Sequence, residues 1–373
     1  MKMCFILGTR PEIIKLSPLI RECERRGIEY FMVHTGQHYS YEMDQLFYEQ
    51  LGITNPDYNL AIKSASSFLQ SEHIGRMLID IEKILLDRAP DVVIVQGDTN
   101  TVLAAAICVN KLRTKPISMS IRLAHVEAGL RSYDRTMTEE INRVIADHMS
   151  DFLFAPSSTA KEYLLQEAIA EDRVHITGNS IVDAVYHYKD TAEKSLILEK
   201  LGLEKKQYFF ATAHRQENVD DANRLRGIME GLELVSKAFN IPVVCPVHPR
   251  TQKMLDKFNI TLPVGIRQIA PVGFFESLCL QMNARLILTD SGGVQEEASV
   301  LHVPCVTLRD NTERPETIVA GYNILVGVDP QKILWGVKEM LNREYQWRDL
   351  YGDGTAGEKM IEILLKNTSE KDI

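Results

Sequence analysis

The chain has 373 residues, 45% of them apolar and 25% charged, and its 42 Lys and Arg against 51 Asp and Glu leave a formal net charge of −9. That much apolar material excludes a disordered chain, and the acidic balance excludes a nucleic-acid binder held by a basic face. A phosphate ligand is not excluded, because a few cations and a helix N-terminus suffice to hold one.

In chain order, short apolar runs alternate with segments of helical period. The opening run around 3–7 reads as a buried strand rather than a signal peptide, being short and lacking a small-residue cleavage site. Further strands are expected at 30–34, 92–96, 123–126, 152–155 and 175–177, and then at 208–213, 242–247, 285–289, 303–308 and 323–326. Helical period marks 12–26, 74–86 and 223–239. Continuous apolar strands alternating with helices predict parallel sheets covered on both faces. Eleven strands are too many for one ordinary open sheet, and a polar helical stretch at 183–206 separates two sets. Two doubly wound domains follow, 1–178 and 179–354, with a last helix within 355–373. No apolar window is long enough for a membrane span. The six cysteines form no C-x-x-C pair and read as reduced core thiols of a cytosolic protein. The ten histidines show no metal-ligand spacing, so no protein-held metal is implied.

Open α/β sheets bind ligands beyond the carboxyl ends of their strands, and the polar clusters of this sequence fall there. Gly8-Thr9-Arg10-Pro11-Glu12 follows the first strand, with Lys15 one turn later. Pro11 suits a first helical position, and Arg10 and Lys15 then face the sheet end. This is not G-x-G-x-x-G, so no nicotinamide dinucleotide is indicated. Gln96-Gly97-Asp98-Thr99 offers either a helix cap or an acid at the site. Glu127, within His125-Val126-Glu127-Ala128-Gly129, ends an apolar strand, where an unpaired carboxylate is poor core filler. Thr136 and Glu139 fit a capping box for the next helix, and Glu139 and Arg143 lie four apart on one face. Acids gathered at one site perturb one another and suit proton transfer.

In the second half, His214 and Arg215 end a strand as an anion-type pair, and His248-Pro249-Arg250 ends the next. Asp290-Ser291-Gly292-Gly293 opens a helix whose free N–H groups suit a phosphate, and Glu297 one turn later suits ribose hydroxyls. Arg314 follows a further strand, either as a second phosphate clamp or as a loop salt bridge.

The ordered stretches GTRPEIIKLSP, QGDTNTVL, HVEAGLRS, EEINR, the His-Arg of AHRQEN, PVHP, LTDSGGVQEE and RDNTERPET resemble the non-hydrolysing UDP-N-acetylglucosamine 2-epimerases, nearly end to end. The resemblance implies the GT-B architecture: two Rossmann-like domains around a deep cleft, the C-terminal one binding UDP and the final helix crossing back to the N-terminal one. It implies cytoplasmic interconversion of UDP-GlcNAc and UDP-ManNAc, usually by a homodimer, through loss of UDP to give 2-acetamidoglucal and its re-addition, with no cofactor. Position by position, it implies acid/base roles for Asp98, Glu127 and Glu139, and a catalytic or diphosphate-contacting role for His214. Arg10, Lys15, Arg143 and Arg215 would steady sugar and diphosphate. Asp290, Ser291, Gly292, Gly293, Glu297 and Arg314 would bind the nucleotide portion. Gln37 and His38 match a second UDP-GlcNAc site of many bacterial members.

The chain departs from the family pattern in four places. It is longer near 111–122, where a longer surface loop is expected. It has Thr138 where Pro is usual, Ser277 where a uracil-stacking Phe is usual, and Tyr39-Ser40-Tyr41 after Gln37-His38. Phe274 or Phe275 is the candidate to replace the missing ring. The competing readings are a hydrolysing epimerase, a retaining glycosyltransferase, and a non-catalytic nucleotide-sugar sensor. The last two leave three acids without a task.

Overall fold

The computed structural model describes residues 1–36, 47–62 and 70–369, so Gln37 and His38 lie outside the described residues. The chain divides into two compact units, Met1–Ala184 with Tyr351–Ile373, and Val185–Leu350.

The first unit is built on seven strands: β1 (Lys2–Leu7), β2 (Glu29–His34), β3 (Tyr58–Asn59), β4 (Val92–Gln96), β5 (Arg122–Val126), β6 (Phe152–Ala155) and β7 (Val174–Ile176). They pair in the order β3-β2-β1-β4-β5-β6-β7, all parallel. The central strands are buried from end to end, which is why they read as unbroken apolar runs. The second unit has β8 (Phe209–Thr212), β9 (Val243–Pro246), β10 (Ile266–Ile269), β11 (Ile287–Thr289), β12 (Cys305–Thr307) and β13 (Asn323–Leu325). Their order is β10-β9-β8-β11-β12-β13, again parallel. Both orders are Rossmann-like.

All eleven expected strands form. The two not foreseen, β3 and β10, are edge strands. β3 has two residues, and β10 exposes Arg267 and Gln268 at its centre, so neither shows a continuous apolar run.

The helix Arg10–Arg26 begins with Pro11 in its first turn and stops at Gly27, whose φ of 63° no β-branched residue would adopt readily. The last helix, Ala356–Ser369, packs on it. A Cβ at Gly357 would lie 3.0 Å from that of Pro18, and Arg26 reaches Glu358 and Glu362 at 3.4 and 3.3 Å. Buried Asp183 fixes the start of the last helix by accepting from the backbone N–H of Ala356 and Gly357, at 3.2 and 2.8 Å. The segment 113–120 is a largely exposed connection, as expected for the extra residues before β5.

One expectation fails. The helix Thr138–Met149 is not opened by a Thr136–Glu139 capping box. Its N-cap is Met137, which offers no side-chain acceptor, and Thr136 Oγ1 donates to Asp134 at 2.6 Å instead. Thr138 thereby occupies the first helical position, the place where a proline is at home. All six cysteines are free and buried, and burial pushes the thiols of Cys23, Cys108, Cys245 and Cys305 up to about 12.

Candidate active site

In the first unit, the loops after β1, β4 and β5 are tied together by carboxylates at the C-terminal end of the sheet. Glu12 is buried. It accepts from Gly8 N–H and Thr9 Oγ1, both at 2.8 Å, and from Thr99 Oγ1 at 2.7 Å. No cation is among these donors, and burial pushes its carboxyl up to about 7 against the pull of the hydrogen bonds. Thr99 also caps the helix Asn100–Leu112, so the cap belongs to Thr99 and leaves the Asp98 side chain for other partners.

Asp98 is partly exposed and pairs with buried Arg143, whose other arm reaches Glu140 at 2.8 Å. The Asp98 carbonyl accepts from Asn142 Nδ2 at 3.0 Å. Glu140 in turn accepts from Ser132 N–H, Ser132 Oγ and Tyr133 N–H, each at 2.9 Å. Glu139, the expected acid, is half-buried beside it.

Glu127 leaves β5 in the left-handed region, with φ 72°, a conformation that costs a side-chain-bearing residue energy unless its surroundings enforce it. Its carboxylate is buried, ion-paired with Lys15 and hydrogen-bonded by Gln96 Nε2 at 2.8 Å. Lys15 is thus placed on the carboxylate rather than out in solvent. Arg10 lies over the Phe47 ring, 5.0 Å from its centroid. Behind these loops His125 Nδ1 lies 2.7 Å from Asp147 Oδ1, and Asp147 Oδ2 takes Arg131 Nη1 at 2.7 Å.

In the second unit Asp290, at the end of β11, is fully buried and spends its carboxylate on the loop after β8. It accepts from His214 N–H at 3.0 Å, Arg215 N–H at 2.9 Å and Asn218 Nδ2 at 3.1 Å. The effect is to present an exposed His214 and a half-buried Arg215. Ser291 caps the helix Gly292–Val300. Gly292 is needed because a Cβ there would meet Arg314 Nη1 at 2.6 Å, whereas one at Gly293 would meet only Ser291 Oγ at 3.9 Å. Arg314 is buried and bonded to Glu296 at 2.9 Å and Glu313 at 3.2 Å. Glu297 is half-buried and accepts from Gln281 Nε2 at 2.6 Å, and the same amide reaches Ser277 Oγ at 3.2 Å. Phe274 and Phe275 both pack against Tyr188. His248 caps the helix Pro249–Lys257 by accepting from Arg250 N–H, and Arg250 pairs with Asp220.

The sequence reading named Asp98, Glu127 and Arg143 but missed Glu12, Gln96, Glu140 and Asp147 as partners. A signal existed for two of them: Glu140, Arg143 and Asp147 fall three and four apart, so they share a helix face. Among the described residues, no group of His, Cys, Asp and Glu is arranged to hold a metal. No described helix is long and apolar enough to cross a membrane.

A family model described as UDP-N-acetylglucosamine 2-epimerase matches residues 21–365. The chain belongs to that family, a family of isomerases. It is 50% identical to the UDP-N-acetylglucosamine 2-epimerase of Methanocaldococcus jannaschii, over 98% of this chain and 99% of that one. It is 47% identical to that of Methanococcus maripaludis, covering 97% and 98%. The crystal structure of the M. jannaschii epimerase in complex with UDP-GlcNAc and UDP superposes with a TM-score of 0.91, covering 98% of this chain and all of that one. A lipopolysaccharide outer core galactosyltransferase, 14% identical with a TM-score of 0.56, shares the fold alone. The two Rossmann-like units are of the GT-B type seen in these epimerases.

Proposed function

We propose that the chain interconverts UDP-GlcNAc and UDP-ManNAc in the cytoplasm, as a homodimer, supplying ManNAc-type sugars for surface polysaccharide or glycan synthesis. The observation that carries this reading is the set of carboxylates on separate loops of the first sheet, each beside a fixed cation: Glu127 with Lys15 and Asp98 with Arg143. Inverting a carbon requires a proton to leave one face and another to arrive on the opposite face. The proton at C2 of an N-acetyl sugar is weakly acidic, so positioned acids and bases are needed on both faces.

We assign this proton traffic to Asp98, Glu127 and Glu139. A carboxylate takes the C2 proton, the C–H electron pair becomes the C1=C2 bond, and the C1–O bond breaks with its pair going to UDP. The intermediate is 2-acetamidoglucal beside UDP. The UDP oxygen then re-adds to C1 while a proton is delivered to the other face of C2. No hydride leaves at any step, so the sequence calls for no nicotinamide.

We assign UDP to the second unit. Developing charge on the diphosphate would be met by His214, Arg215 and the N–H groups at Ser291, Gly292 and Gly293. Glu297 would take the ribose hydroxyls, oriented by Gln281. Asp290 and Arg314 would act through the backbone and helix they hold.

The test is proton NMR of the purified chain with UDP-GlcNAc in D2O. UDP-ManNAc carrying deuterium at C2, with no free sugar, is expected. Free ManNAc with UDP would move the chain to hydrolysing epimerases. Unchanged but bound substrate would favour a sensor or glycosyltransferase.

A further inference from the structure

His125 is fully buried near the C-terminal end of β5, and both of its ring nitrogens meet acceptors. Nδ1 lies 2.7 Å from Asp147 Oδ1 and Nε2 lies 2.7 Å from the Gly97 carbonyl oxygen. A carbonyl can only accept. Asp147 can only accept if it is ionised, and its other oxygen is ion-paired with Arg131 Nη1 at 2.7 Å and accepts from Gly129 N–H at 3.1 Å. A guanidinium and a backbone N–H on one oxygen keep that carboxylate charged. Both ring nitrogens must therefore carry protons.

We propose that His125 is a positioning residue of the epimerisation, held as a buried imidazolium that locks the turns carrying Asp98 and Glu127 into one geometry. The inference rests on the reading given under Proposed function.

The turns it locks pass through left-handed positions, and the one at Glu127 is costly. Gly97, whose carbonyl it holds, has φ 79°, and the next residue is Asp98. Asp147, its other partner, holds the N–H of Gly129, two residues beyond Glu127, with φ values of 84° and 72°. One histidine–aspartate pair thus spans the ends of the adjacent strands β4 and β5, and it supplies the enforcement a left-handed glutamate requires. The charges acting on the ring sit on the next helix and at the end of its own strand. Asp147 lies on the helix Thr138–Met149, Glu127 is on its own strand's end, and Arg131 sits beyond Asp147, neutralised by two 2.7 Å bonds to Glu167. Burial disfavours a charged ring, but Asp147 and the Gly97 carbonyl outweigh it and the ring is shifted upward.

Nitrogen-15 NMR of the full wild-type chain, labelled at histidine, tests the protonation without any substrate. The His125 signals are assigned by their loss in His125→Gln. Both ring nitrogens are expected to remain protonated at pH 8, where an ordinary histidine is neutral. One bare nitrogen at that pH overturns the proposal, whatever the enzyme does. Glutamine can donate to one of the two acceptors and carries no charge. His125→Gln is therefore expected to lower kcat about 100-fold with KM within about 3-fold and UDP binding unchanged. A variant with wild-type kcat, or one that loses only UDP affinity, also overturns it. If His125→Gln fails to fold, the same signals are assigned through Asp147→Asn and the wild-type protonation decides. Failure of the wild-type chain to exchange the C2 proton would instead defeat the proposed function and leave the protonation result standing.

Discussion

Asp98 and Asp290 occupy matching places in two sheets of the same strand order. Asp98 follows β4, the neighbour of β1, and Asp290 follows β11, the neighbour of β8. Their surroundings differ. Asp290 is wholly buried and receives two backbone N–H groups and an amide. Asp98 keeps 27% of its side chain exposed and faces a guanidinium. An acid at a strand end is thus a shared consequence of the fold, and the donors around it decide whether it holds a loop or meets a substrate.

That contrast is broken most forcefully at Asp98. Asp98→Asn is expected to lower kcat by about 1000-fold, within the range for loss of an acid/base group, while the melting temperature moves by only a few degrees. Arg143 keeps Glu140 as its partner. A folded variant with near-normal turnover would remove Asp98 from the chemistry.

The glycines sharpen the same comparison. Gly129 in the first unit has φ 84°, and a Cβ there would lie 2.3 Å from the Ala160 carbonyl oxygen. Gly129→Ala should cost about 3 kcal/mol or more in urea unfolding. Gly293→Ala in the second unit, where only Ser291 Oγ is near, should cost no more than about 1 kcal/mol.

Buried acids also differ in what holds them. Glu296 and Glu313 are paired with guanidinium groups, whereas Glu12 is held by hydroxyls and an N–H. Its folded value, raised from 4.5 to about 7, means the native state keeps a proton that the unfolded chain has lost. Stability should therefore fall as pH rises from about 4.5 to about 7, by at most about 3 kcal/mol, and be level beyond. Glu12→Gln should flatten that slope in urea titrations across the range. An unchanged slope would assign it to other groups.

The doubly wound fold was legible because parallel strands covered on both faces leave unbroken apolar runs. β3 and β10 escaped because edge strands do not. The strand-end motifs named where the polar residues gather, including Asp98 and Glu127. They did not reveal that Lys15 would turn inward onto Glu127, or that Asp290 would be consumed by backbone N–H groups. Those facts depend on which loop lies opposite, and residues such as Lys15 and Glu127, 112 positions apart, meet only when the sheet order is known. The capping box failed for a local reason: the helix starts one residue later, with Met137 at its N-cap, and Thr136 is held in the preceding turn by its N–H and Oγ1, which both donate to Asp134.

Asp290→Asn returns to the opening pair and should give a smaller effect than Asp98→Asn. Asparagine keeps one oxygen for the N–H of His214 or Arg215, but its new N–H₂ turns a donor toward donors in a fully buried site. A loss of about 2 kcal/mol follows from one buried N–H left without an acceptor. The loop after β8 should loosen, so hydrogen exchange at His214 and Arg215 should speed up and KM should rise more than kcat falls. If turnover collapsed with stability and loop exchange unchanged, Asp290 would itself belong to the chemistry, and the two aspartates would differ only in depth.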